Sequence, residues 1–336
     1  MKRALVTGGA GFIGSHVVDS LISNGIGVTV LDNFATGSLD NLAHAREKAD
    51  LRIVRGSILD RAAVAEAILD CDAVFHLAVD CVRRSLGDPL NNHEVNATGT
   101  ICVLDAARQA RVTRFVYCSS SEVYGNASEK LLGERVTLCE PVTVYGAAKL
   151  AGEHYTKAYY RTYGLPTVVV RPFNSYGPRE HDRGDLAEVI PRFAIRVLNG
   201  LPPIIFGNGE NSRDFTYVTE TARGLILAAQ CDALLGREVN IAFGRNVSVL
   251  EVAQKIAQMC QRPDLSPLHL PPRPGDVHHL HADTALAQEQ LSFRASIDIT
   301  SGLSLYLDWF RCTYPDPAEL LEEEPINWRM PDGMPA

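Results

Sequence analysis

The chain lacks the features that mark several large protein classes. None of its eight cysteines (Cys71, Cys81, Cys102, Cys118, Cys139, Cys231, Cys260 and Cys312) stands in a CxxC pair. Most fall in apolar stretches, so they read as reduced packing residues. No apolar run approaches the roughly 20 residues that a membrane-spanning helix needs. Met1-Lys2-Arg3 loosely mimics the start of a signal peptide, but the glycines from Gly8 onward break the apolar segment, and a cytoplasmic protein is expected. There is no surplus of positive charge: 32 Lys and Arg stand against 40 Asp and Glu, a formal net charge of -8. That excludes a general nucleic-acid binder, which needs cations to neutralise phosphates. No internal repeat is visible, so the chain is not a solenoid.

What is present is an ordinary globular composition, 46% hydrophobic and 21% charged over 336 residues, long enough to bury a large core. Short continuous apolar runs alternate with helical spacing. Ala4-Leu5-Val6, Val28–Leu31, 51–54, 73–77, 114–117 and 167–170 read as strands. Helices are expected over 12–23, 62–69, 97–109 and 145–163. Apolar runs without alternation, separated by helices, predict a doubly wound parallel α/β sheet of the Rossmann type, covered on both faces. After Pro172 the rhythm loosens. Strands at 204–206 and 239–242 and helices at 189–198, 249–259 and 303–310 suggest a smaller lobe closing over the sheet edge. The expected division is 1–172 for a dinucleotide domain with the catalytic residues, 173–314 mainly for a substrate lobe, and 315–336 for a loosely attached tail rich in Pro and Glu.

Gly8-Gly9-Ala10-Gly11-Phe12-Ile13-Gly14 lies between a strand and a helix, where glycines let the backbone approach a pyrophosphate at the helix N-terminus. Asp32 ends the second strand; a carboxylate there accepts hydrogen bonds from an adenosine ribose and repels a 2′-phosphate. NAD is therefore expected over NADP. Tyr145 and Lys149 stand four residues apart on one helix face. A cation beside the phenol lowers its pKa and makes Tyr145 a base for a sugar hydroxyl. Alone, this spacing reads equally as a surface helix pair; after a dinucleotide fingerprint and Ser119-Ser120-Ser121, the catalytic reading is the better one.

These segments together with His76-Leu77-Ala78, Ser119–Gly125 and Arg171–Arg179 resemble the NAD-dependent sugar epimerase/dehydratase family, within the extended short-chain dehydrogenase/reductases, over residues 1 to about 312. The resemblance implies an enzyme whose bound NAD takes a hydride from C4 of a nucleotide-diphosphate sugar and later returns it. It implies cofactor contacts at Gly8, Gly11, Phe12, Ile13, Gly14, Asp32, Asn33, Ser57, Ile58, Leu77, Ala78, Tyr145 and Lys149, with Ser57 where Asp is more usual. Ser120 would hydrogen-bond the C4 oxygen. Asn174, Arg213, Arg273 and Asp276 would lie at the sugar diphosphate, where the planar fork of Arg suits phosphate.

Glu122 bears on the reaction. A 4-epimerase needs no acid or base beyond the C4 set, whereas a 4,6-dehydratase must also move the C5 proton and the C6 hydroxyl. The run Ser121-Glu122-Val123-Tyr124-Gly125 resembles dehydratases and sugar-acid decarboxylases more than epimerases. Ser121, however, replaces the Asp of many dehydratases, and a purely local role for Glu122 stays open. The leaning is to an NDP-hexose 4,6-dehydratase, with a UDP-sugar 4-epimerase close behind, then a decarboxylase, then a non-catalytic NAD-sensing protein on the same fold. Asp80 and Gly146 are unusual for the family; either reshapes the sugar pocket or carries no functional meaning. His278, His279 and His281 are not expected to bind metal, since neighbouring side chains on a strand or loop point apart. Relatives often dimerise through helices beside the catalytic one. Val103, Leu104, Leu150 and Tyr159 suit such a homodimer, or equally the core.

Overall fold

The computed structural model describes residues 1–48, 50–127 and 131–330. Strands β1 (Arg3–Thr7), β2 (Gly27–Asp32), β3 (Leu51–Arg55), β4 (Ala73–His76), β5 (Arg114–Cys118), β6 (Thr167–Pro172) and β7 (Glu238–Ile241) form one sheet. Its order is β7-β6-β5-β4-β1-β2-β3, and every pairing is parallel. The chain winds outward from β1 through β2 to β3, then crosses back to β4. Between β1 and β4 the winding reverses, and the crevice at the carboxyl ends of those strands is where such a sheet takes a ligand. β2, β4 and β6 are buried at every residue, which explains why the strands read as unbroken apolar runs.

Helices α1 (Phe12–Ser23), α2 (Arg61–Ala67), α3 (Gly99–Gln109), α4 (Val144–Tyr163) and α5 (Val189–Leu198) lie close to the expected spans. Thr143 caps α4 by accepting from the Gly146 N–H at 3.1 Å, and Gly164 ends it in the left-handed region at φ 69°. Val103 and Leu104 are fully buried in the cluster beneath α3, so they are core residues and offer no dimer surface.

The chain past Pro172 does not all leave the sheet. β7 pairs with β6, and α6 (Val218–Gln230), unread in the sequence, packs on α1. Gly224 lets α6 also lie close on β7: a Cβ there would stand 2.5 Å from Ile241 Cγ2. The smaller lobe is thus an excursion from the sheet rather than a sequential domain. It packs α5, α7 (Val249–Met259) and α8 (Ile299–Thr313) around Ile190, Phe193, Val252, Ile256, Leu303 and Phe310.

The tail departs from expectation. Leu320 is buried in the lobe core and Trp328 is only 6% exposed. The Asn199 side chain donates to Pro317 O at 3.0 Å, and Asn327 Nδ2 donates to Ala187 O at 2.7 Å. Two apolar anchors outweigh a polar, proline-rich composition that by itself favours disorder.

Candidate active site

Every residue singled out in the sequence as catalytic, cofactor-binding or substrate-binding lines one cleft of about 570 Å³ at the carboxyl edge of the sheet. At its cofactor end, Gly11 precedes α1 without a side-chain cap, leaving the first N–H groups of the helix for an anion. Gly14 permits the turn to close against the helix: a Cβ at this position would lie 2.1 Å from Gly8 O. Backbone cannot yield that far. Gly14→Ala is expected to weaken NAD binding at least tenfold and to lower the melting temperature, measured by calorimetric titration and thermal denaturation.

Asp32 accepts from Ala10 N at 2.9 Å and Phe34 N at 2.8 Å. A carboxylate has further lone pairs for ribose hydroxyls. Burial raises its pKa, and those two N–H donors oppose the rise. Asn33, Ser57, Ile58, Leu77 and Ala78 form the adjoining wall. Below them His76 bridges Thr7 Oγ1 at 2.7 Å and Thr100 Oγ1 at 3.0 Å. Burial pushes the imidazole down to about 3, so it is a neutral strut. The crevice, the uncapped helix start and the acidic β2 terminus fit a dinucleotide without a 2′-phosphate.

At the centre, Ser120 stands two residues past the end of β5 and caps a 3₁₀ turn over Ser121–Tyr124, its Oγ accepting from Glu122 N at 3.2 Å. The hydroxyl keeps its own proton to donate. Tyr145 enters from the first turn of α4. Burial pushes its phenol well above the usual tyrosine value, and the Ser120 hydroxyl partly offsets this. Lys149 is buried, donates to Cys118 O at 2.8 Å, and is itself pushed down to about 8 by burial. The expected lowering of the phenol by Lys149 is therefore not what the structure shows: desolvation outweighs a cation turned toward a carbonyl. Lys149 is half protonated near pH 8, so kcat/KM is expected to fall as pH rises through that value. Lys149→Arg, whose guanidinium stays charged, should lose this limb in a pH–rate profile.

Glu122 also lines the cleft, and burial raises its pKa against the pull of Arg213 and then Arg273. Among the described residues its carboxyl has no hydrogen-bond or ion-pair partner, so local pairing does not account for it. Gly146 has a reason here: a Cβ on it would stand 2.8 Å from Glu122 O, so the small residue lets the turn carrying Glu122 sit on α4.

Toward the lobe, Asp276 holds Arg213 at 2.9 Å, Arg273 at 2.7 Å and Asn211 at 2.8 Å. This cluster keeps one net positive charge. Asn174 Oδ1 is buried without a hydrogen-bond partner. The three histidines turn to different groups, His278 to Asn211, His279 to Ser212 and His281 to Gly244 O, and no metal-binding group of three converges among the described residues.

The sequence reading missed the frame beneath the site. Arg171 on β6 donates to both carboxyl oxygens of Glu153 on α4 at 2.9 and 2.6 Å and to Tyr124 Oη at 2.9 Å. Ser119 also donates to Glu153, at 2.6 Å, and Tyr124 donates to Asn240 on β7 at 2.9 Å. A fully bonded buried pair holds its geometry well, though it costs desolvation. Glu153 follows Lys149 by one helical turn, the signal that was there to read. Asp80, already singled out in the sequence, lines the cleft too, as do Arg83, Arg84, Glu188, Arg192, Phe206 and Trp328, whose charges and rings carry no local motif.

A doubly wound sheet with a Gly-rich turn, an acid ending β2 and Ser, Tyr and Lys at one cleft defines a dinucleotide-dependent enzyme of the short-chain dehydrogenase/reductase type. Residues 4–242 match the NAD dependent epimerase/dehydratase family. The chain belongs to that family, is an enzyme, and uses NAD. It is 34% identical to the dTDP-glucose 4,6-dehydratase of Streptomyces niveus, over 92% of this chain and 93% of that one. It matches the structure of UDP-glucose 4-epimerase from Thermotoga maritima, determined with UDP-glucose, with TM-score 0.87 and 34% identity over 93% and 99% of the two chains. It also matches the dTDP-glucose 4,6-dehydratase of Streptomyces venezuelae, determined with NAD bound, with TM-score 0.89 and 30% identity over 95% and 100%. No helix among the described residues is long and apolar enough to cross a membrane.

Proposed function

We propose that the chain is a nucleotide-hexose 4,6-dehydratase. The observation that carries this reading is the Glu122 carboxyl, unpaired in the same cleft as Ser120 and Tyr145. When bound, NAD supplies a hydride acceptor and a positive charge to the cleft, and residues 1–172 supply most of its contacts. Ser120 hydrogen-bonds the C4 oxygen, and Tyr145, whose raised phenol pKa that positive charge would bring back down toward phenolate, takes the hydroxyl proton as C4 becomes a ketone. The ketone acidifies the C5–H bond; Glu122 removes that proton and hands it to the C6 hydroxyl, which leaves as water, after which the hydride taken from C4 would return at C6 while C5 takes up a solvent proton. A raised pKa makes Glu122 a stronger base once ionised and lets it hold the proton it then delivers to the leaving hydroxyl. Arg213 and Arg273, aligned by Asp276, grip the diphosphate through charge-assisted bonds, and Asn174 lies beside them in the substrate lobe. The reading includes a homodimer through the outer faces of α3 and α4, where Tyr163 is exposed.

A UDP-sugar 4-epimerase is the second reading. Ser121, a buried hydroxyl where a second acid would aid departure of the C6 oxygen, favours it. The test is incubation with NAD and a panel of nucleotide sugars, read by mass spectrometry and proton NMR. Dehydration gives a product lighter by one water with C5 hydrogen exchanged from solvent; an isomer of unchanged mass, inverted at C4 and unlabelled, makes the protein an epimerase.

A further inference from the structure

The cleft runs on past the arginine pair. Beyond Arg273 it is walled by Phe206, at the end of a strand over Ile204–Phe206, by Arg192 of α5, and by Asn327 and Trp328 of the tail. The Arg192 guanidinium stands 5.6 Å over the Phe206 ring, and Trp328 meets that ring edge-on at 4.6 Å. The tail here is a strap. It is pinned in the lobe core by Leu320 and to α5 through Arg192, which donates to Pro325 O. It then crosses to the dinucleotide domain, where a Cβ on Gly87 would stand 3.2 Å from Arg329 O.

Trp328 has one unsatisfied group. Its side chain is buried, yet Nε1–H has no acceptor. Buried donors are rarely left so, because desolvation without a partner is costly, and this one belongs to a residue lining the cleft. An aromatic ring, a stacked guanidinium and an indole donor suit a flat heterocycle bearing a carbonyl. The place fits as well. If the sugar lies at Ser120 and Tyr145 and the diphosphate at Arg213 and Arg273, the next group along the cleft is the nucleoside.

We propose that the strap over residues 315–330 completes the nucleoside subsite and that Trp328 determines base specificity, its indole N–H donating to a carbonyl oxygen of uracil or thymine. Adenine, which has no carbonyl, is disfavoured there. This rests on the nucleotide-sugar reading of the cleft.

The chain has two tryptophans. Trp309 packs with Tyr306, Phe310 and Tyr314 on α8 and its C-terminal flank, so Trp309→Phe leaves Trp328 as the sole reporter. With the protein saturated in NAD, UDP and dTDP should change Trp328 fluorescence saturably and ADP should not. Trp328→Phe keeps an aromatic wall and removes the donor. Calorimetric titration should show UDP bound roughly tenfold more weakly, with NAD affinity unchanged. A chain ending after Glu324, which retains Leu320, should lose at least as much. UDP binding measured by calorimetry with no fluorescence response and no loss in Trp328→Phe would overturn the inference and leave the nucleotide-sugar reading intact. No binding of UDP, dTDP or any nucleotide sugar would overturn both.

Discussion

Glu122→Gln is expected to abolish water loss from a nucleotide hexose by two to four orders of magnitude, the usual contribution of a positioned general acid–base. The amide keeps the volume, and the 3₁₀ turn is held by the backbone N–H of Glu122 on Ser120 Oγ rather than by its side chain. Folding and NAD binding should be untouched. The discriminating readout is hydrogen exchange at C5 in deuterated water. In the dehydratase, Glu122→Gln stops both exchange and dehydration while C4 oxidation persists. If instead turnover and the NMR product are unchanged, Glu122 is a spectator and the epimerase reading takes its place. The direction of the pKa shift sharpens the expectation: burial holds the carboxyl partly protonated above the usual glutamate range, so dehydration should fall below that raised pKa as Glu122 gains its proton and can no longer act as a base.

Tyr145→Phe should lower kcat on any nucleotide sugar by about a thousandfold or more while changing KM little. The phenol proton acceptor is used only as the C4 bond to hydrogen breaks, so its loss is felt in the transition state and not in ground-state binding. The ring stays, and with it the packing of α4 against the 3₁₀ turn. Steady-state kinetics with matched KM values separate this from a folding defect. A variant that retained more than a tenth of the wild-type kcat would remove Tyr145 from the chemistry in either reaction. The combination is informative: Tyr145→Phe should end both dehydration and epimerisation, whereas Glu122→Gln should end dehydration alone.

Much of the site was legible because its chemistry is local in the chain. Gly8 to Gly14 and the Asp32 terminus belong to one strand–helix–strand unit, and Tyr145 and Lys149 share one helix face, so spacing alone sets their neighbourhood. The parallel sheet was legible for a similar reason. Strands buried on both faces must be apolar throughout, and β2, β4 and β6 are.

What the sequence by itself determined is this dinucleotide half, its cofactor and the family. The tertiary structure decided what depends on groups far apart in the chain. It set the Tyr145 phenol upward instead of downward, because the shift is governed by burial and by where Lys149 turns its ammonium. It returned β7 and α6 to the sheet, where the close fit of Gly224 on Ile241 is a contact between packed elements that spacing in the chain does not reveal. It closed the Glu153–Arg171–Tyr124–Asn240 frame across four elements. And it brought Trp328 against Phe206, since a buried indole packed on a half-buried ring 122 positions away outweighs a composition that favours a loose tail. Local patterns carry information about backbone conformation and one-helix geometry; burial and long-range pairing are properties of the packed chain.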